Sequence, residues 1–146
     1  MKTLSSEITF HGYTVDKLSF LPKSPANETD KSSSTFFIPS FTREIEGNEA
    51  GDCRVTLTAI VGQPDDNIPF TALVSITGQF KVPDVDKAHE IMEVNGTAIL
   101  FPYLRAVMTQ LTSAANLPPI YLPTINLVEM LRAKGKAEPD NKMHND

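Results

Sequence analysis

The spacing of apolar residues changes once along this chain, and the change comes near residue 80. Before it, four runs have the alternation or the β-branched content of strands: residues 7–20, 35–45, 53–61 and 68–80. Period-two spacing places side chains on one face of a β-strand. After residue 97 apolar side chains recur at steps of three and four, which is typical of an amphipathic helix. Because no helical pattern separates the strands, the chain is predicted to be an α+β domain with an antiparallel sheet.

We predict a four-stranded antiparallel meander, followed by a long helix and a short C-terminal helix. Gly12 breaks the alternation of the first strand, which indicates a bulge or bend. Pro39 cannot donate a ladder hydrogen bond, so its run is predicted to be an edge strand or a crossover lying over the sheet. Polar stretches rich in turn-forming residues, at 22–34 and 62–67, are expected to be loops.

The long helix is predicted to begin near residue 97 and to end at Asn116 in a left-handed conformation. Asn95 and Thr97 are both suitable N-cap residues. Pro102 occupies the first turn, where its missing N–H costs nothing, or kinks a helix that began earlier. The charged residues 81–93 are expected to form a loop with a helical turn.

The C-terminal helix is short in this prediction. Three prolines favour an extended connection over residues 117–123. The helix then covers residues 125–131, with Thr124 or Asn126 capping it and Gly135 ending it.

The length of 146 residues and an apolar content of 40% fit one globular domain. We place this domain at residues 1–135. Residues 136–146 contain almost no apolar side chain and are predicted to form a disordered polar tail.

The charge and composition exclude several classes of partner. The formal net charge is -5 and the basic residues are scattered, so nucleic acid is not expected to bind. No run approaches the roughly 18 apolar residues of a membrane helix, and no apolar segment of a signal peptide follows the N-terminus. The lone Cys53 fits a reducing compartment. A cytoplasmic location without membrane insertion is expected.

No arrangement of residues in the sequence is typical of a catalytic or metal site. His11, His89 and His144 lie far apart, and none has a second ligand at metal-binding spacing. Cys53 has no activating neighbour and is expected to be a small core residue. Asp65-Asp66 lies in a turn, where aspartate is favoured by backbone hydrogen bonds. We therefore expect no enzyme, no cofactor and no metal.

Five local runs resemble motifs of the SecB family of export chaperones. They are Tyr13-Thr14-Val15-Asp16-Lys17-Leu18-Ser19-Phe20, Phe37-Ile38-Pro39-Ser40-Phe41, Gly78-Gln79-Phe80, Leu100-Phe101-Pro102-Tyr103 followed by Arg105, and Leu122-Pro123-Thr124-Ile125-Asn126-Leu127. The order of sheet, long helix, proline-rich connection and short helix is also similar to that family. The resemblance covers roughly residues 7–132.

The resemblance implies an ATP-independent chaperone that binds unfolded polypeptides along apolar grooves. It also implies a homo-oligomer, a dimer of dimers assembled through the sheets and long helices. The candidate client-binding or interface residues are Phe37, Phe41, Leu100, Tyr103, Met108 and Leu111. A plain alternative for the helical stripe of Leu100, Leu104, Val107 and Leu111 is that it packs against the sheet, as in any amphipathic helix.

One departure from the family concerns its partner, the translocation ATPase SecA, which docks on acidic residues of the sheet's outer face. The corresponding positions here are Lys17, Leu21 and Leu73, which argues against docking in the usual way. General export and a dedicated client, such as the antitoxin of a toxin–antitoxin pair, both remain open. The alternative function is a non-catalytic oligomeric scaffold that binds one folded protein or a small ligand.

Overall fold

The sheet has four antiparallel strands, as the apolar spacing predicts. A computed structural model describes residues 8–23, 39–62, 68–117, 122 and 126–137. The strands are β1 (Thr9–Pro22), β2 (Ser40–Gly47), β3 (Asp52–Val61) and β4 (Phe70–Lys81). The chain is therefore an α+β domain with the predicted succession of elements.

The order of the strands differs from a meander. It is β1-β4-β3-β2, so β1 pairs with β4 instead of β2. This is the order of a Greek key. Strands β2, β3 and β4 are neighbours in chain order, and β1 lies on the far side of β4. The long stretch of chain between Pro22 and Ser40 removes the constraint of a hairpin. The edge position predicted for the strand after Pro39 is confirmed, because β2 forms one edge of the sheet.

Two irregularities keep the apolar residues of β1 on one face. The register with β4 shifts between Phe10 and Tyr13 and again between Val15 and Lys17. Gly12, with φ 103°, lies at the first shift, which confirms the predicted bulge. The second shift is not foreseen from the sequence. Because each shift changes the phase of alternation, the apolar residues of β1 that follow the bulges return to the same face.

The helical segment begins earlier than the sequence predicts. A 3₁₀ turn (Val85–Lys87), helix α1 (Ala88–Ile91), a π-helical turn (Met92–Gly96) and helix α2 (Thr97–Ala114) follow one another. The prediction of an N-cap at Asn95 or Thr97 is wrong, because both lie inside this continuous helical path. Of the two positions considered for Pro102, the one within a helix that began earlier is correct.

Helix α2 lies on one face of the sheet and closes the core. Leu100, Leu104 and Met108 are fully buried on its inner side. Its end is a Schellman motif, in which Leu117 N–H donates to Thr112 O (3.2 Å) and Asn116 N–H donates to Ser113 O (3.0 Å). Asn116 has φ 64°, as predicted.

Helix α3 (Leu127–Ala137) is the short C-terminal helix. Asn126 is the capping residue, because its Oδ1 accepts a hydrogen bond from Glu129 N–H at 3.1 Å. The predicted stop at Gly135 is wrong, since the helix continues to Ala137; a glycine within a helix costs only about 1 kcal/mol. The connection before Asn126, apart from Leu122, and the tail after Ala137 lie outside the described residues.

Candidate functional site

A strip of apolar side chains lies open on the helix side of the sheet, along edge strand β1. Val15 is 45% exposed and Leu18 is 55% exposed. They stand opposite Ile76 and Val74, which are buried core residues, so they share the face that α2 covers. Helix α2 does not extend over them. We call Val15, Leu18 and Tyr103 the apolar strip.

Tyr103 of α2 contacts two aromatic rings of β1 in a tilted arrangement. Its ring centroid is 4.9 Å from that of Tyr13 and 5.6 Å from that of Phe10, and Phe10 contacts Phe80 at 5.1 Å. Tyr103 is nevertheless 40% exposed. The rings are held in place on one side and open to solvent on the other, as in a preformed binding surface.

Three of the predicted site residues belong to the core of the single chain. Phe41, Leu100 and Met108 are buried, so the plain alternative of packing against the sheet applies to the helical stripe. The physical reason is that α2 turns Leu100 and Met108 toward the sheet, where they contact the buried positions of β3 and β4. These three side chains are therefore not accessible on the surface of the single chain.

The other three predicted site residues have different positions. Tyr103 is exposed, and Leu111 is half-buried against the edge of the core. Phe37 lies outside the described residues. Tyr103 contacts Tyr13 on β1, and Val15 and Leu18 lie further along the same strand. The sequence alone does not single out Val15 and Leu18, although the step of three between these two apolar residues marks the second shift of register.

One part of the hydrophobic core lies between β2, α2 and α3. Phe41 and Phe101 meet edge to face with ring centroids 5.8 Å apart. Leu122, Leu127 and Leu131 are buried beside them. We call these five residues the junction cluster. Only one face of α3 is buried here, because Met130 on its other side is 41% exposed.

Two arginine side chains lie next to the junction cluster. Arg105 Nε donates to Leu122 O at 3.1 Å, and its guanidinium lies 5.9 Å from the centroid of Phe101. Arg43, on the same face of β2 as Phe41, donates from Nη1 to Glu93 O (3.0 Å) and to Thr97 Oγ1 (3.2 Å).

The opposite face of the sheet is polar and lined with hydroxyl groups. Thr56 and Thr77 are joined at 2.8 Å, and Thr58 and Ser75 at 2.9 Å. Asp16 accepts a hydrogen bond from Thr77. A depression of about 310 Å³ is lined by residues of this face: Asp16, Lys17, Thr42, Glu44, Thr56, Thr58 and Ser75.

Lys17, Leu21 and Leu73, which the resemblance predicts to replace an acidic docking site, lie on this outer face. Lys17 pairs with Ser75, Leu21 pairs with Thr71, and Leu73 lies between those two rungs. Leu21 is 62% exposed. Asp16, next to Lys17, supplies a carboxylate on this face.

The candidate catalytic groups that the structure describes are His11, His89 and Cys53. His11 is exposed on β1, and His144 lies outside the described residues. Cys53 is buried. Its burial raises the pKa of its thiol, and the nearby carboxylate of Asp52 raises it further. Within the described ranges, no three His, Cys, Asp or Glu side chains come together as a possible metal site. No helix in the described part is long and apolar enough to cross a membrane.

A family match covers most of the chain. The family described as Preprotein translocase subunit SecB matches residues 15–138. The Protein-export protein SecB of Acidithiobacillus ferrooxidans is 30% identical over 100 residues, which are 66% of this chain and 66% of that protein. An uncharacterized protein of Methanocaldococcus jannaschii is 37% identical over 75 residues, 50% of this chain and 48% of that protein. The chain thus spans about half the length of that archaeal relative.

A solved structure has the same fold. It is the SecB-like chaperone of Mycobacterium tuberculosis, in complex with a ChAD peptide from the HigA1 antitoxin. The TM-score is 0.66 at 15% sequence identity, and the match covers 84% of this chain and 93% of that one. At this identity the likeness concerns the fold.

Proposed function

The chain belongs to the SecB family, and we propose that it is a chaperone that binds non-native polypeptides without ATP. No step of this function is catalytic, and none requires a cofactor. The observation that carries the proposal is the amount of apolar surface that one chain leaves open or lightly covered. The exposed strip on β1 and the junction cluster under α3 supply two such surfaces.

We assign the apolar strip to contact between copies of the chain. Strand β1 has 14 residues and lies at an edge of the sheet, where no strand of the described residues pairs with its outward backbone groups. A long edge strand is a template for pairing with another chain. Both edges carry charges, Asp16 and Lys17 on β1 and Arg43, Glu44 and Glu46 on β2, but β1 is the edge at which Val15 and Leu18 are exposed. A homo-oligomer formed through β1 and α2 would cover Val15, Leu18 and Tyr103.

We assign the junction cluster to the client. Helix α3 contributes Leu127 and Leu131 to the cluster, and its removal would uncover Phe41 and Phe101 as neighbouring aromatic rings. An apolar segment of a client offers the same kind of side chain that α3 offers. Aromatic surfaces suit varied clients because their contacts depend little on a particular sequence. The candidate Phe41 therefore serves the client only when α3 moves away.

Two features bear on the wider role. Lys17, Leu21 and Leu73 occupy the positions of the family's acidic docking site, so we propose that SecA does not dock here in the usual way. The peptide bound to the M. tuberculosis chaperone comes from an antitoxin, which makes a dedicated client as reasonable a proposal as general export. A cytoplasmic location belongs to the same proposal.

The experiment compares two states of one client. A protein that is reduced and carboxymethylated cannot refold, whereas its untreated form is folded. We expect the chain to bind the unfolded form and not the folded one, with no effect of added ATP, in fluorescence anisotropy of labelled client. Binding of the folded form alone would contradict the chaperone and favour the scaffold that binds one folded protein.

A further inference from the structure

The longest exposed run of strand β1 lies in its middle. Residues 14–18 are all exposed, whereas Tyr13 on one side and Ser19 on the other are partly covered. Asp16 and Lys17 lie within this run and are the Asp and Lys residues of the strand. A chain that pairs along the edge of β1 therefore meets one negative and one positive side chain at the centre of the contact.

A bulge in β1 places both charges on the polar face of the sheet. Lys17 pairs with Ser75, and Val15 pairs with Ile76 on the preceding rung, so Asp16 is the extra residue of the bulge. In an unbroken strand, two neighbouring residues point to opposite faces. Here Asp16 and Lys17 both line the depression on the polar face, so the bulge has brought the two charges to one side.

This bulge restricts how β1 can pair with a second copy of itself. A two-fold axis perpendicular to the sheet makes the two copies of β1 antiparallel, and residues that stand opposite each other then point to the same face. With the axis between Asp16 and Lys17, Val15 stands opposite Leu18 of the second copy. Both of these apolar side chains lie on the helix side of the sheet, so they can pack against each other.

Other registers near the centre of the strand do not match the faces. A shift of the second copy by one or two residues in either direction brings Val15 or Leu18 opposite Asp16 or Lys17. The apolar residues point to the helix side and the charged residues to the polar face, so such pairs leave both kinds of side chain without a neighbour.

The charges favour the same register. Asp16 of each copy stands opposite Lys17 of the other, which gives two pairs of opposite charge across the axis, and such cross-strand pairs stabilise a sheet. Lys17 has no ion-pair partner among the described residues of its own chain. Charges on an edge strand normally discourage pairing, but here each charge meets its complement.

We propose that β1 pairs antiparallel with β1 of a second copy in one register, with the two-fold axis between Asp16 and Lys17. This inference rests on the contact between copies given under the proposed function, and it adds the residues that determine the register. The bulge and the order of the two charges make the edge complementary to itself. A strand without the same bulge does not match it, so the edge selects a second copy of this chain over other exposed strands.

Cysteine crosslinking tests the register. Thr14 and Ser19 stand opposite each other in it, and the Cα atoms of opposite residues are about 4.5–5.5 Å apart, within reach of a disulfide. Thr14→Cys/Ser19→Cys is therefore expected to form a covalent dimer on mild oxidation, measured by non-reducing electrophoresis. Each single variant is the matched control and should stay uncrosslinked, because like positions are about 16 Å apart in this register. Cys53 is buried and should not contribute.

Charge exchange tests the pairing of Asp16 with Lys17. Lys17→Asp places two carboxylates opposite each other on both sides of the axis, so self-association should weaken by about tenfold. Asp16→Lys/Lys17→Asp restores opposite charges and should return the dissociation constant to within about threefold of the original. Native mass measurement over a dilution series gives these constants.

Three results would overturn the register while leaving the contact between copies in place. They are crosslinking of a single variant as complete as that of the double variant, no crosslink in a double variant that is oligomeric by mass, and a charge exchange that is no stronger than Lys17→Asp. A monomeric original chain would overturn the register and the assigned contact together. Binding of the unfolded client is measured separately, so each of these results leaves the chaperone proposal to its own test.

Discussion

Arg43 is the polar residue on which the junction between strand β2 and the helical segment depends. Its side chain is 11% exposed and reaches Glu93 O and Thr97 Oγ1. Thr97, itself fully buried, donates a hydrogen bond from its hydroxyl to Met92 O at 3.0 Å. The two side chains thus satisfy carbonyl groups of the π-helical turn. In the sequence Arg43 looks like an ordinary edge-strand charge, because its partners lie far along the chain.

Replacement of this arginine is expected to be costly. Arg43→Leu removes both charge-assisted hydrogen bonds and leaves the hydroxyl of Thr97 without its donor, so the free energy of unfolding should fall by about 2–3 kcal/mol. Urea denaturation followed by circular dichroism measures the change. Arg54→Leu, at an exposed ion pair, should alter it by less than about 1 kcal/mol. Equal effects of the two substitutions would contradict the role given to Arg43.

At the scale of elements, the sequence pattern predicts those features that depend on neighbouring residues along the chain. The strand type of all four runs, the left-handed Asn116 and the cap at Asn126 follow from spacing and residue preference. The pairing of β1 with β4 does not, because strand order depends on contacts between distant parts of the chain. The early start of the helical segment is not predicted for a related reason. The buried side chains of α1 and of the π-helical turn form a pattern only once the position of the sheet is known.

Gly62, the residue after the end of β3, gives a prediction at this scale. Gly62 has φ 85°, and a Cβ added there would lie 1.9 Å from Phe70 O, so Gly62→Ala requires the backbone of the hairpin to move. Gly12 has φ 103° but nothing within 4 Å, so Gly12→Ala carries only the conformational cost, about 1–2 kcal/mol. We expect Gly62→Ala to lower the thermal midpoint more than Gly12→Ala. The reverse order would show that the hairpin adapts.

At the scale of the whole molecule, the sequence predicts which residues of the candidate site are apolar but not which of them are exposed. Spacing placed Leu100 and Met108 on an apolar stripe but did not say which part of the stripe the sheet covers. Tyr103 lies beyond that cover, and β1 extends past the helix, which leaves Val15 and Leu18 open. Exposure of this kind is a property of the assembled fold, since it depends on how far α2 reaches across the sheet.

One substitution in the apolar strip tests self-association in a chain that should still fold. Leu18→Glu places a charge on the face that we assign to the contact between copies, and because Leu18 is already 55% exposed the chain should still fold. Native mass measurement is expected to show an oligomer for the original chain and a shift to lower mass for this variant. Val85→Glu, at a side chain that is also exposed but lies outside β1 and α2, should leave the mass unchanged. A monomeric original chain at micromolar concentration would refute the assigned interface.

Suppression of aggregation tests the central claim, an ATP-independent chaperone, most directly. A chemically denatured substrate protein is diluted into buffer with the purified chain and without nucleotide, and light scattering is followed. The account predicts that scattering falls as the chain is added and disappears at a molar excess, with ATP making no difference. Undiminished scattering at a several-fold molar excess of the chain would contradict it.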